Sequence, residues 1–368
     1  DIFPYEALDK FRAEALNPNH PCEKGSAQNP DIFFQTREAC NPAYDDMPAI
    51  VQKYMDKINA KIGTDYKLFN YYGAADAEHV IVAMGSVNDT IEETIDYLAA
   101  KGEKVGVIKV RLFRPFAVDA FLSTIPETVK AITVLDRTKE PGSIAEPLAL
   151  DVMAAIKDSK FANIPVFCGR YGLGSKDTTP NQIVAAYHNT TKKEFTLGIF
   201  DDVTNLSLDA GEDLVTTPDG TVCCKFYGLG ADGTVGANKN SVQIIGNNTN
   251  KYCQAYFSYD SKKSGGFTCS HLRFGDSPIH SAYQVNTPNF VACHVQAYLH
   301  MYDVTRGLRK NGFFLLNTIF EGEELVNFIP NKVKRCFAQN NITVYYINAT
   351  KIAQEIGLGN RTNTILQS

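Results

Sequence analysis

The chain has 368 residues, 44% hydrophobic and 21% charged, which is enough apolar material for two domains and part of a third. Lys and Arg total 36 against 41 Asp and Glu, a net charge of −5 that gives no general attraction to nucleic acid or anionic lipid. No apolar run approaches the ~20 residues of a membrane span, and the nine cysteines contain no C-x-x-C pair, so the thiols read as reduced and buried in a cytoplasmic protein, with no metal site.

Residues 1–67 are largely irregular, with Asn-Pro at 17–18, 29–30 and 41–42. They hold one helix over 47–62, carried by Ile50, Val51, Tyr54, Ile58 and Ile62. Too poor in apolar residues to form its own core, this stretch reads as the tail of a preceding domain. The start at Asp1 and the stop at Ser368 do not read as natural termini. From residue 68 the pattern alternates. Strands are expected over 80–84, 105–110, 131–135 and 164–167. Helices are expected after a cap at Asn88 or Asp89, over 118–122 and over 144–156. A polar bridge spans 169–191 and a second series follows. Its strands cover 221–227, 252–259, 290–294, 312–317 and 343–348, with helices starting near 234, 280, 297, 323 and 352. Such alternation predicts an α/β fold: two open, mainly parallel three-layer α/β domains, 68–190 and 191–368, preceded by the 1–67 tail of another domain.

The densest motif is Gly228-Leu-Gly230-Ala-Asp-Gly233, a G-x-G-x-x-G between an apolar strand and a helix. Glycines there let the backbone turn tightly and approach a phosphate, which the free amides and the positive end of the helix dipole then hold. The bland alternative is a tight turn that binds nothing. Gly230, Asp232, Thr234, Asn238 and Lys239 are the candidate ligand residues of this loop and helix, joined by Ser261, Lys262 and Lys263 after the next predicted strand. A dinucleotide fold wants an acid about 20 residues past the glycines. Asp260 lies far along, and two lysines follow it, which suits a ligand with several phosphates better than a nicotinamide dinucleotide. Arg111, Arg114 and the 136–142 run, at strand ends of the first domain, read as ion pairs that fix loops. His271, His280, His294 and His300 show no metal-motif spacing and read as core or surface histidines.

These strings resemble a family. The runs 71–76, 80–86 (VIVAMGS), 102–116 (GEKVGVIKVRLFRPF) and 134–142 (VLDRTKEPG) resemble the transketolase C-terminal-like domain of pyruvate:ferredoxin (flavodoxin) oxidoreductases. The runs 169–175, 201–204, the glycine loop, 257–266 and 270–275 resemble the next domain, and 26–31 resembles the end of the family's pyrimidine-binding-type first domain. The resemblance covers essentially the whole chain. It implies an internal piece of an enzyme that oxidises pyruvate on thiamine diphosphate, passes electrons through 4Fe-4S clusters to ferredoxin or flavodoxin, and delivers acetyl to coenzyme A. It implies that the 191–368 domain binds coenzyme A through Gly230, Asp232, Thr234, Asn238, Lys239, Ser261, Lys262 and Lys263. Pyruvate, thiamine and cluster sites belong to other parts of such an enzyme, so no catalytic residue is expected in this chain. By the same resemblance the full-length protein is a homodimer and this chain alone is inactive. A domain-orienting module without a ligand, or a relative acting on another 2-oxoacid, stand as the alternatives.

Overall fold

The computed structural model describes residues 4–21, 27–259, 265–359 and 361–367. In chain order its elements are α1 Tyr5–Ala13, α2 Phe33–Glu38, α3 Asn41–Ile62, β1 Phe69–Gly73, β2 His79–Ala83, α4 Val87–Ala99, β3 Val105–Val110, α5 Val118–Thr124, β4 Ala131–Asp136, α6 Pro147–Ile156 and β5 Val166–Arg170. There follow α7 Pro180–His188, β6 Glu194–Thr196, β7 Val222–Leu229, α8 Thr234–Asn248, β8 Tyr252–Tyr259, β9 Phe267–Gly275, β10 Phe290–Cys293 and α9 Tyr298–Met301. The last elements are β11 Phe313–Asn317, α10 Gly322–Phe328, α11 Asn331–Gln339, β12 Thr343–Ile347, α12 Ala349–Glu355 and α13 Thr362–Gln367. Among the described residues no helix is long and apolar enough to cross a membrane. Residues 1–85 with 104–170 form one compact unit, and residues 86–103 with 171–368 form another.

In the first unit β3, β2, β4 and β5 lie side by side in that order and run parallel, and β1 closes the edge antiparallel to β3, with Phe69 opposite Val110. The strand β2 shows no polar alternation because both faces are covered: Val80, Ile81, Val82 and Ala83 are all fully buried. Phe69, Phe116 and Phe121 pack as a trio with ring centroids 5.3–5.5 Å apart. The charged residues at the strand ends brace this unit. Asp136 accepts the backbone N–H of Leu148 (3.0 Å) and Ala149 (3.1 Å), capping α6. Arg111 donates to Asn70 at 2.8 Å, and Arg114 pairs with Asp151 at 2.8 Å. Burial raises the Asp136 carboxyl pKa against the pull of those two amides.

The second unit holds a sheet in the order β12-β11-β10-β7-β9-β8. The first four of these strands are parallel, and β9 is antiparallel to both β7 and β8. Its apolar core lies on one face, where Tyr227, Cys269, Val291, Phe314 and Leu316 meet Leu299, Leu325 and Val333.

Several elements differ from those expected. The 169–191 bridge contains α7, started by Thr179 and Pro180, and it buries Ile183, Ala186 and Tyr187. No helix forms near 280; that segment is irregular, and Ser281 and Tyr283 both donate hydroxyl bonds to the buried carboxylate of Glu93 on α4. The helix α4 begins at Val87, ahead of Asn88 and Asp89, so Ser86 occupies the cap position. The strand β9 and helix α11 were not foreseen.

Candidate functional site

The glycine motif sits where β7 hands over to α8. Gly228 is required by contact, because a Cβ there would lie 2.5 Å from Thr234 Oγ1 and 2.7 Å from Thr234 Cβ. Gly233 is required by conformation, since it precedes the helix at φ 88, and also by contact with Asn363 Cβ at 2.7 Å. Between them the Asp232 carboxylate binds the chain on both sides of itself. One oxygen accepts the N–H of Leu229 at 2.7 Å and the other accepts the N–H of Thr234 at 2.8 Å. Gly230 joins the loop to the start of β9: its N–H donates to Gly266 O at 2.7 Å, and Gly265 N–H donates to Gly230 O at 3.4 Å.

These contacts enclose a cavity of about 250 Å³. Gly230, Asp232, Gly233, Val235 and Gly236 line it from the loop and α8; Tyr259, Gly266 and Thr268 line it from the β8–β9 hairpin. Among the described residues the amides of Val235 and Gly236, in the first turn of α8, have no side-chain or loop acceptor. Thr268 is 3% exposed, and its Oγ1 has no partner among the described residues. A helix N-terminus with unsatisfied donors, opening into a small cavity, can hold an anion.

The structure sorts the candidate residues. Gly230 and Asp232 line the cavity. Thr234 and Asn238 face inward beneath α8, 2% and 3% exposed. The Thr234 hydroxyl lies 2.7 Å from His294 Nδ1, whereas Asn238 Nδ2 has no partner among the described residues. Lys239 extends over the Phe257 ring, its Nζ 5.5 Å from the centroid, on the β8 side of the helix. Ser261, Lys262 and Lys263 lie outside the described residues; Tyr259 and Gly266, on either side of them in sequence, line the cavity.

Sequence reasoning missed Tyr259, Thr268 and His294. Tyr259 carries the only signal visible in the chain, an aromatic directly before a Lys- and Gly-rich turn. Burial lowers the His294 pKa to about 4 and that of His271 to about 3, so both imidazoles are neutral. Among the described residues no group of three His, Cys, Asp or Glu side chains is placed to share a metal ion. The insertion of β9 also alters the comparison with dinucleotide folds. The strand beside β7 on the hairpin side is antiparallel, so no neighbouring parallel strand ends there with a ribose-binding acid.

Comparison with known proteins places these features in a family. Residues 77–183 match the family profile "Pyruvate:ferredoxin oxidoreductase core domain II", and residues 223–368 match "Pyruvate ferredoxin/flavodoxin oxidoreductase". The pyruvate:ferredoxin oxidoreductase of Moorella thermoacetica is 53% identical over 100% of this chain and 32% of its own length. The pyruvate-flavodoxin oxidoreductase of Enterobacter agglomerans is 51% identical over 99% of this chain and 31% of its own length. The pyruvate dehydrogenase [NADP(+)] of Cryptosporidium parvum is 50% identical over 99% of this chain and 19% of its own length. The chain thus spans about a third or less of these relatives.

Proposed function

As a member of the pyruvate:ferredoxin/flavodoxin oxidoreductase family, this chain supplies, we propose, the coenzyme A-handling part of a longer enzyme. In that enzyme pyruvate loses CO2 and two electrons, the acetyl group passes to the coenzyme A thiol, and ferredoxin or flavodoxin takes the electrons. This chain alone oxidises no pyruvate in this reading. The names of the relatives favour that division. They differ in electron acceptor (ferredoxin, flavodoxin, NADP), yet identity over this segment stays at 50–53%. A segment indifferent to the acceptor suits the acyl-transfer side of the reaction.

The single observation that carries the reading is the cavity at the α8 N-terminus with the amides of Val235 and Gly236, unpaired among the described residues. Each amide bonded to a phosphate oxygen contributes about 1.5–3 kcal/mol. The cavity of about 250 Å³ falls below the ~300–1,000 Å³ of sites for drug-sized ligands, so it takes one part of the coenzyme while the rest runs over the hairpin. Asp232 also lines it, and its negative charge directs a phosphate towards the Val235 and Gly236 side. In the proposed complex Gly230 lets the backbone approach, and Lys239, Ser261, Lys262 and Lys263 supply donors around the rim. Thr234 and Asn238 support the helix from below. No step of this reading runs through thiamine diphosphate or an iron–sulfur cluster.

One observation favours the rival reading, a domain-orienting module without a ligand. Asp232 already neutralises part of the helix end, and Asn363 packs against Gly233. Calorimetric titration with coenzyme A separates the two. Saturable binding to the wild type, weakened about tenfold by Lys239→Ala or Lys262→Ala, is the expected result. A flat titration of a folded protein leaves the module reading standing.

A further inference from the structure

The layer between α8 and the sheet is unlike the rest of the second unit. On its sheet-facing side α8 buries only Thr234, Ala237 and Asn238. Below them lie Gly228, Ser270 and Thr268, with Ser270 paired to Phe226 and Thr268 to Gly228 across β7 and β9. So little apolar contact holds α8 down that specific polar contacts must fix its first turn.

One such contact spans 60 residues of sequence. Thr234 Oγ1 and His294 Nδ1 are 2.7 Å apart, with the two residues only 2% and 8% exposed. His294 is itself anchored to the sheet. Its N–H donates to Tyr227 O at 2.9 Å, and its carbonyl accepts from Asn317 Nδ2 at 3.0 Å. The other end of that amide, Asn317 Oδ1, accepts the N–H of Ala349 at 3.0 Å. The imidazole also stands edge-on to the Phe226 ring, centroids 6.3 Å apart. Thr234, at the other end of the bond, has its N–H on Asp232 and its side chain over Gly228. The very next residues are Val235 and Gly236, which line the cavity.

We propose that His294 is a positioning residue for the glycine loop: through Thr234 Oγ1 it ties the first turn of α8 to the end of β10 and so aims the Val235 and Gly236 amides into the cavity. The inference rests on the coenzyme A reading for the identity of the ligand, though not for the geometry. Burial holds the ring neutral, so Nδ1 accepts the Thr234 hydroxyl or donates to it according to the tautomer.

The test uses the whole chain with His294→Phe, which keeps a flat ring, His294→Asn, which keeps a polar atom near Nδ1, and Thr234→Val, which removes the same bond from the other side. Coenzyme A affinity is read by calorimetry and backbone amide exchange over 229–236 by mass spectrometry. His294→Phe and Thr234→Val should each weaken coenzyme A binding about tenfold, and the double variant no further than either alone. His294→Asn should restore most of the affinity, and exchange over 229–236 should quicken in the two weakened variants while the melting midpoint stays close to that of the wild type. Wild-type affinity in His294→Phe overturns the proposal, as does a double variant in which the two losses add. A wild type that binds no coenzyme A defeats the coenzyme reading instead. Exchange then decides alone: quickening in Thr234→Val supports the clamp, and unchanged rates overturn it.

Discussion

Replacing Gly228 by alanine tests the loop geometry at its tightest point. The new Cβ would stand 2.5 Å from Thr234 Oγ1, 2.7 Å from its Cβ and 2.9 Å from its Cγ2. Real carbon contacts are far longer, so the Thr234 side chain or the helix must yield. The threonine is stiff at χ1 and its hydroxyl is held by His294 at 2.7 Å, which blocks the inexpensive escape of rotation. Overpacking of a buried site typically costs about 1–3 kcal/mol, and three simultaneous overlaps put Gly228→Ala near the upper end. At about 2–4 °C per kcal/mol for a domain of this size, the melting midpoint should fall by roughly 6–12 °C. A second substitution identifies the cause. Thr234→Ala removes Oγ1 and Cγ2, two of the three atoms in the way, so the double variant should melt above Gly228→Ala even though Thr234→Ala alone is destabilising. Thermal unfolding followed by circular dichroism reads all four proteins. A Gly228→Ala variant melting within ~2 °C of wild type, or a double variant in which the losses simply add, would refute the reasoning.

Two further predictions concern the same unit. Glu93 accepts hydroxyl bonds from Tyr283, Thr216 and Ser281, at 2.6 Å for the serine, so Glu93→Ala takes the acceptor from two buried donors and one part-buried one and should cost about 3 kcal/mol in urea unfolding, against about 1–2 kcal/mol for Tyr283→Phe; equal stability of Glu93→Ala and wild type would contradict the assignment. In acid, His294 and His271 have folded pKa values of about 4 and 3 against 6.5 unperturbed, so the unfolded chain binds protons first. Their contribution is complete above pH 6.5 and drains away as pH falls towards 4 and then 3, while Asp136 and Asp177, with carboxyl pKa values raised by burial, act in the opposite sense. Unfolding midpoints at pH 7 and pH 4.5 should therefore fall in acid, and less so in His294→Asn; an unaltered pH dependence in that variant would remove His294 from the account.

Much of the architecture was written in apolar runs. Val80–Ala83 reads as a strand covered on both faces because nothing polar interrupts it, and it is buried so; the 131–135 run carries Thr133 and is buried from Ile132 to Leu135. The strand β9 escaped because its run, Phe-Thr-Cys-Ser-His-Leu-Arg-Phe, mixes polar residues into both faces: Ser270 and Thr268 under α8, His271 and Arg273 on the other side. Its partners explain why that composition is tolerated, since Arg273 donates to the carbonyls of Tyr283 (2.7 Å) and Gln284 (3.1 Å), both distant in sequence. The expected helix near 280 failed for the same reason, because that segment is fixed by Glu93, 188 and 190 residues away from Ser281 and Tyr283. At the site, the glycines announced the turn, because only glycine meets those local demands. Which side chains face the cavity depends on long-range partners: Thr234 and Asn238 looked like donors on an exposed turn, and their helix turns them down onto the sheet.

The paired backbone bonds between Gly230 and residues 265–266 make the glycine loop and the start of β9 a single mechanical part. In most α/β folds the loop after a strand answers to its own helix, and neighbouring connections can lengthen or shorten without disturbing it. Here Gly230 is also bonded to the backbone of Gly265 and Gly266, so a shift of the start of β9 would pull directly on the glycine loop.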